Sequence, residues 1–340
     1  MAANQPRSSP ARVRTRLRGR TLLAVLGLGV VAWLLVHEFG RGGGGGAAGV
    51  LALVASAAGR PLWLAAAAAL AAAGFVVATM SFVGFVPERL DLRRSLLAQL
   101  AGGFANMVAP AGLGGMALGT RFLHRSGIPA GQAVTSVGVS QVVGVALHGL
   151  LVVAFGVLAG TRLHLPWHAA LLHPSAGVVI TATAAALLAS AVLGLVCCSP
   201  RTRRWAAERL RAAVSGNLPR MVDLARRQPG KVAVGVTGQL LVSLVASACL
   251  YACGVALGER TAFAAVALAN LVGGTVGLAV PTPGGVGGVE AVLAYALTTA
   301  TGVPYQAALV QVLLYRLLTL WLPVLPGWAA YAWLLRKGAL

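Results

Sequence analysis

The sequence predicts an all-α, polytopic membrane protein with about six full spans and two broken, re-entrant helical hairpins in an inverted repeat. Three observations lead to this prediction: long apolar segments, basic residues concentrated between some of them, and two interruptions rich in glycine and proline. Of the 340 residues, 58% are hydrophobic and 10% are charged, whereas a soluble domain carries about 25% charged residues. Lipid must therefore solvate much of the surface.

Six segments are apolar and long enough to cross a bilayer as helices. They lie near residues 21–38, 61–86, 130–160, 175–198, 232–257 and 305–335. The first span follows a basic tail and resembles a signal peptide, but no convincing cleavage site follows it. We therefore expect a retained signal anchor behind a disordered tail, with cleavage as the alternative.

Basic residues predict the orientation of these spans. Much of the net charge of +20 lies in the tail 1–20 and in the loop 199–231, and basic segments of this kind remain in the cytoplasm beside anionic inner-leaflet lipids. Residues 336–340 also carry basic side chains, whereas the loop 161–174 has one arginine and three histidines and fits the outer side. We therefore expect a plasma-membrane protein with both termini cytoplasmic, and no nucleic-acid partner.

Two further apolar segments, 95–120 and 261–300, are broken by glycine and proline. The charge assignments agree only if the first enters and leaves by the cytoplasmic face and the second by the outer face. The chain then divides into half-repeats of opposite orientation, 21–160 and 175–335, of the kind that builds a central site in transporters. Chance similarity in an alanine- and glycine-rich chain is the alternative.

Matching motifs support the repeat. Asn106 and Pro110-Ala-Gly-Leu-Gly-Gly115 in the first half correspond to Asn270 and Pro283-Gly-Gly-Val-Gly-Gly288 in the second. Each motif is followed by a Gly-x-Pro sequence, and Gln141 and Arg316 each lie twelve residues beyond its proline.

Charges and backbone breaks inside apolar segments are the candidates for a substrate site. Glu290 and Arg316 each lie in such a segment, where a charge is costly and normally faces the bundle interior. They either form a structural ion pair or contribute to a site in which Arg316 binds a lipid phosphate. The predicted substrate-binding residues are Asn106, Pro110, Arg121, Arg125, Asn270, Pro283, Gly284, Gly285, Glu290 and Arg316.

The other members of this set have weaker individual signals. Arg121 and Arg125 are four residues apart and would share one helical face near the inner mouth, although ordinary positive-inside anchoring is the favoured explanation. The stretch around Pro283, Gly284 and Gly285 favours an anion near a helix N-terminus or a close helix crossing.

Catalytic and metal-binding patterns are weak. The cysteines have no metal-ligand spacing, and His164, His168 and His173 are interrupted by Pro166, so we predict neither a metal site nor a cofactor. For His148, within a span, we expect a hydrogen bond to a neighbouring helix rather than a proton relay.

The motifs resemble a known family. Residues 281–291, 302–308 and 315–323, with the looser stretch 106–129, are similar to the lysylphosphatidylglycerol synthase transmembrane family, which is also described as flippase-like. The resemblance covers roughly residues 20–335. Many members have an acidic residue just after the first glycine pair, where this chain has Gly115 and Met116.

This resemblance implies a membrane part that moves an aminoacylated lipid made by a soluble C-terminal domain. Because the chain ends soon after its last span, we expect the membrane part alone, without aminoacyl transfer. We therefore expect a transporter, not an enzyme, for a membrane phospholipid or lipid-linked substrate. The alternatives are a membrane enzyme acting on a lipid head group or a polyprenyl-phosphate sugar, and a non-catalytic subunit that partners an envelope-biosynthesis enzyme.

Overall fold

The structure is a computed structural model in which all regular elements of the described residues are helical. It describes residues 59–108, 113–159, 225–278 and 287–340, together with Ala55, Asp223 and Gly285. The predicted all-α fold class is confirmed for these residues. The tail 1–20, the spans 21–38 and 175–198, the loop 161–174 and most of the loop 199–231 lie outside them.

Nine α-helices follow one another in the described ranges. They are α1 (Pro61–Gly84), α2 (Leu92–Val108), α3 (Leu113–Arg125), α4 (Ala130–Leu158), α5 (Pro229–Leu257), α6 (Phe263–Leu278), α7 (Gly288–Thr301), α8 (Tyr305–Arg316) and α9 (Leu322–Arg336). A π-helical turn, Leu317–Trp321, joins α8 and α9 into one continuous helix. By length and composition, α1, α4, α5 and the α8–α9 helix can each cross a membrane.

Proline and glycine mark several helix ends. Pro61 lies in the first turn of α1 and Pro304 directly precedes α8, positions where the missing proline N–H costs little. Gly258 and Gly302 end α5 and α7 with φ angles of 99° and 76°, a left-handed conformation that glycine adopts without steric cost. The long spans therefore begin and end close to where the sequence predicts.

Helices α1 and α5 pack together through small residues. A methyl group at Gly84 would overlap the backbone of Gly235, and one at Gly238 would lie 2.5 Å from the backbone nitrogen of Ser81. Such residues allow helix backbones to approach closely where lipid supplies no hydrophobic driving force. This pair forms the most extensive helix–helix contact in the described chain.

Contacts at the helix ends show that α1 and α5 are antiparallel. Lys231, at the start of α5, donates to the backbone carbonyl of Glu88 beyond the end of α1 (2.7 Å). Gln132, at the start of α4, donates to the Glu88 side chain (2.7 Å). At the opposite end, Arg60 before α1 donates to the carbonyl of Val255 near the end of α5 (2.8 Å). We refer to these ends of the bundle as the Lys231 end and the Arg60 end.

The first hairpin, α2 and α3, begins and ends at the Lys231 end. Leu92 starts α2 four residues after Glu88, and Ile128, just beyond α3, packs in one cluster with Val86 and Leu340. The four residues that connect the two helices, 109–112, lie outside the described residues.

The second hairpin, α6 and α7, opens toward the opposite end. Phe263, at the start of α6, packs against Tyr251 of α5, which in turn contacts Trp63 in the first turn of α1. Val303, just after α7, shares a cluster with Leu250. The second hairpin therefore begins and ends at the Arg60 end, while the first begins and ends at the Lys231 end.

Candidate functional site

A cavity of about 460 Å³ lies between the first hairpin, α1, α4, α5 and the region where α8 meets the π-helical turn. Four of its lining residues carry side-chain amides, namely Gln99, Asn106, Gln141 and Gln239. Hydroxyl groups come from Ser81, Ser140, Tyr315 and Thr319. The cavity therefore presents hydrogen-bonding groups inside a bundle whose long helices are otherwise strongly apolar.

Glycines form part of the cavity wall. Gly74 on α1 and Gly102, Gly103, Gly115 and Gly119 on the hairpin all line the cavity. A methyl group at Gly74 would meet no atom within 4 Å, other than its own helix backbone and chain neighbours. The cavity is therefore open at this point because the sequence provides no side chain there.

Asn106 links the two helices of the first hairpin. Its Oδ1 accepts a hydrogen bond from the backbone N–H of Gly115 in the first turn of α3 (2.6 Å). The first N–H groups of a helix lack partners within the helix and need another acceptor. The close contact between Gly114 and the backbone of Ala105 brings this acceptor within reach. Asn106 thus supports the broken backbone while lining the cavity.

Glu290 and Arg316 form a buried ion pair. Arg316 Nε donates to Glu290 Oε1 (2.8 Å), and the side chains are only 12% and 6% exposed, respectively. The second carboxylate oxygen of Glu290 accepts from the N–H of Gly287 (2.8 Å) at the start of α7. The pair therefore ties the start of α7 to the end of α8.

Arg316 also lies near the glycine turn of the second motif. A methyl group at Gly285, whose φ is 68°, would lie 3.8 Å from Arg316 Nη2. The preceding residue, Tyr315, lines the cavity beside the first hairpin. Residues 315 and 316 thus connect the cavity with the base of α7.

The remaining predicted site residues do not gather around the cavity. Arg121 and Arg125 are exposed on α3, and Arg121 lines an adjoining surface depression with His124, while Met116 lines both the depression and the cavity. Asn270 donates to Ser247 of α5 (3.1 Å). Pro110, Pro283 and Gly284 lie outside the described residues. Of the predicted set, Asn106 alone is among the described cavity-lining residues, and Gly285, Glu290 and Arg316 form the neighbouring ion-pair region.

Sequence reasoning missed most of the polar lining. Gln99 and Gln239 lie in apolar segments without any surrounding motif, and Gln141 stands out in the sequence only as the repeat counterpart of Arg316. A list of uncharged amides within apolar spans would have found all three. They come from three different helices, so their convergence was not visible along the chain.

His148 forms the expected helix-to-helix contact. Its Nε2 lies 2.8 Å from the hydroxyl of Thr275 and 3.2 Å from the carbonyl of Leu271, both on α6. Within the described ranges, no group of three or more histidine, cysteine, aspartate or glutamate residues could hold a metal ion.

Comparison with protein families gives one match that extends over most of the chain. The family model described as the lysylphosphatidylglycerol synthase TM region matches residues 22–327. A comparison with curated proteins gives no significant match. The matched range includes both hairpins, the cavity and the ion pair.

Proposed function

Because the chain belongs to the lysylphosphatidylglycerol synthase TM-region family, a family of membrane proteins in lipid metabolism or transport, we propose that it moves a lipid or lipid-linked substrate across the membrane. The predicted location is the plasma membrane, with both termini in the cytoplasm. The predicted substrate is a membrane phospholipid or a lipid-linked compound.

The observation that carries this proposal is the position of the cavity. It lies inside a bundle of apolar helices, and one wall is a helical hairpin that begins and ends at the Lys231 end. Tyr315 also lines it, next to the Arg316–Glu290 pair at the tip of the second hairpin, where α7 begins. Transporters commonly place a substrate site between broken helices of this kind.

In this proposal, the two hairpins are re-entrant and act as gates. A hairpin that dips into the membrane from one face leaves backbone groups at its tip that need protein or a wet cavity as partners. The hydrogen bond from Gly115 to Asn106 meets this need in the first hairpin. Small movements of each hairpin would then open the cavity to one membrane face at a time.

A transport assay on a variant with a filled cavity tests the proposal. Gly74→Leu places a side chain into the cavity, where a methyl group meets no surrounding atom within 4 Å. We expect this variant to fold and to lose most of the movement of fluorescent lipids between the leaflets of reconstituted vesicles. Gly149→Leu on α4 is the matched control, because Gly149 has equally open surroundings and is not among the residues lining the cavity.

The comparison of the two variants decides the result. Loss of lipid movement in Gly74→Leu but not in Gly149→Leu supports a route through the cavity. Equal movement in wild type, in Gly74→Leu and in protein-free vesicles would contradict the proposed function. Size-exclusion profiles and thermal unfolding in detergent establish that both variants are folded.

A further inference from the structure

The cavity beside the first hairpin contains no charged side chain among its described lining residues. Arg316 follows the lining residue Tyr315, but its guanidinium group is bonded to Glu290 (2.8 Å). Moving an ion out of water into such a place costs several kcal/mol unless an opposite charge compensates for it. The lining that the structure describes offers no such charge, so this part of the cavity disfavours a head group with a net charge.

The lining does offer hydrogen bonds. Gln99 on α2 and Gln141 on α4 bond to no other residue in the part of the chain that the structure describes. Each side-chain amide provides two N–H donors and one carbonyl acceptor. Asn106 also lines the cavity and uses its carbonyl oxygen for Gly115, which leaves its amino group as a donor. The lining residues therefore supply both donors and acceptors.

A second group of lining residues is fixed by mutual contacts. The hydroxyl of Ser81 on α1 donates to Oε1 of Gln239 on α5, and it lies 3.5 Å from the hydroxyl of Ser140 on α4. These contacts join three helices and orient the Gln239 amide. The polar wall is therefore held in place before any ligand enters.

The unpartnered amides are accessible from the cavity. Gln99 is half-buried and Gln141 is exposed, so a ligand that replaces water at these amides must reproduce its hydrogen bonds. The volume of about 460 Å³ lies within the range of roughly 300–1,000 Å³ that is usual for small-molecule sites. A compact ligand rich in hydroxyl groups matches both the size and the chemistry.

We propose that the cavity binds an uncharged, polyhydroxylated lipid head group, such as a sugar, and discriminates against head groups with a net charge. Sugar hydroxyls both donate and accept, as the lining amides do. The bare glycine backbone at Gly74, where an added methyl group would meet no atom within 4 Å, lets a ring approach the wall closely. This inference rests on the proposed function in taking the cavity as the substrate site, and it names the class of substrate.

Lipid binding to the purified full chain tests the inference independently of transport. The probes are a hexosyl diacylglycerol, phosphatidylglycerol and lysylphosphatidylglycerol with the same acyl chains, and diacylglycerol as the reference without a head group. Native mass spectrometry in detergent measures the dissociation constant of each. We expect the hexosyl lipid to bind at least about tenfold more tightly than the other three, a ratio that one or two hydrogen bonds can supply.

Amide-to-leucine variants locate the binding site. We expect Gln99→Leu and Gln141→Leu each to weaken binding of the hexosyl lipid about tenfold. Gln306→Leu is the matched control, because Gln306 is exposed at the start of α8 and outside the set of cavity-lining residues. Unchanged binding in both cavity variants would overturn the inference, and so would a wild type that binds either charged lipid at least as tightly as the hexosyl lipid.

A charged variant tests the discrimination directly. Gln141→Lys places a cation at the exposed edge of the cavity, so we expect binding of phosphatidylglycerol to strengthen and binding of the hexosyl lipid to weaken. No change in the ratio of the two would count against the inference. Selective binding without lipid movement would contradict the proposed function alone, and movement of a charged lipid that the cavity binds in preference would overturn this inference alone.

Discussion

The Glu290 carboxylate accepts two hydrogen bonds, one from the end of α8 and one from the start of its own helix, α7. One oxygen accepts from Arg316 and the other from the N–H of Gly287. A buried ion pair contributes little net stability compared with apolar residues, but loss of one partner leaves a buried charge uncompensated, at about 3–5 kcal/mol. We therefore expect Glu290→Gln to lower the thermal unfolding midpoint in detergent clearly, as monitored by tryptophan fluorescence.

The matched double variant separates structure from transport. Glu290→Gln combined with Arg316→Met removes both charges, and we expect it to recover most of the stability lost in the single variant. A single variant as stable as wild type would contradict the structural role. If the double variant is folded but moves no lipid, the pair also participates in transport, which is the second interpretation that the sequence left open.

The roles of single residues were predictable from the sequence only where placing a charge in an apolar segment has a high free-energy cost. Glu290 and Arg316 are charges in apolar segments, so a mutual contact was a natural expectation, and the structure places them 2.8 Å apart. Arg121 and Arg125 are also charged, but they lie at an exposed helix end where a charge costs little. Gln99 and Gln239 are uncharged and have no motif, so only the three-dimensional packing shows that they share a cavity.

At the level of elements, the contact between α1 and α5 depends on the absence of side chains. A methyl group at Gly84 would overlap the backbone of Gly235, and the backbone cannot rotate away as a flexible side chain can. We expect Gly84→Ala to destabilise the protein by about 1–3 kcal/mol, the usual cost of overpacking. Thermal unfolding in detergent measures the change.

Gly138→Ala on α4 is the control for this substitution. A methyl group at Gly138 meets nothing within 4 Å, so the change only improves helix propensity, by up to about 1 kcal/mol. We expect Gly138→Ala to be as stable as wild type or more stable. An equal response of both variants would contradict the close contact between α1 and α5.

The helices themselves were largely predictable, because a chain in lipid must satisfy its backbone hydrogen bonds within each segment. The predicted spans near 61–86, 130–160, 232–257 and 305–335 correspond to α1, α4, α5 and the α8–α9 helix. The π-helical turn was not predicted. Pro323 was the available signal, since it has no N–H to donate to the carbonyl of Thr319 four residues earlier.

On the scale of the whole molecule, the contacts place the ends of the two hairpins at opposite ends of the bundle. The first begins and ends near Lys231, where Ile128 packs with Val86. The second begins and ends near Arg60, where Phe263 packs against Tyr251. From charge bias, the sequence predicts that the two hairpins enter the membrane from opposite faces, and this orientation in a membrane stays a prediction. Sequence alone gave no information about which helices would enclose a cavity.

Cysteine labelling tests this arrangement in a membrane. In a variant without native cysteines, we expect Arg93→Cys and Ser126→Cys to react with a membrane-impermeant maleimide only after the cells are permeabilised. Arg260→Cys and Gln306→Cys should react in intact cells. All four positions are exposed in the structure, so their reactivity reports the membrane face rather than burial. The native cysteines to be replaced are Cys197, Cys198, Cys249 and Cys253.

The positions that follow the hairpins, Ser126 and Gln306, decide the outcome. The positions at the hairpin starts, Arg93 and Arg260, calibrate it. Arg93 lies in the first turn of α2, at the start of the first hairpin, and Arg260 precedes the second, so each establishes the face from which its hairpin starts. Ser126 and Gln306 follow α3 and α7, respectively, and therefore report where each hairpin returns. If the cysteine at 126 is labelled from the same face as the cysteine at 93, the first hairpin returns to the face from which it starts. The same holds for the second hairpin if the cysteines at 306 and 260 are labelled from one face. Reaction of Ser126 and Gln306 from one face would mean that a hairpin crosses the membrane, and gating from opposite faces would then be excluded.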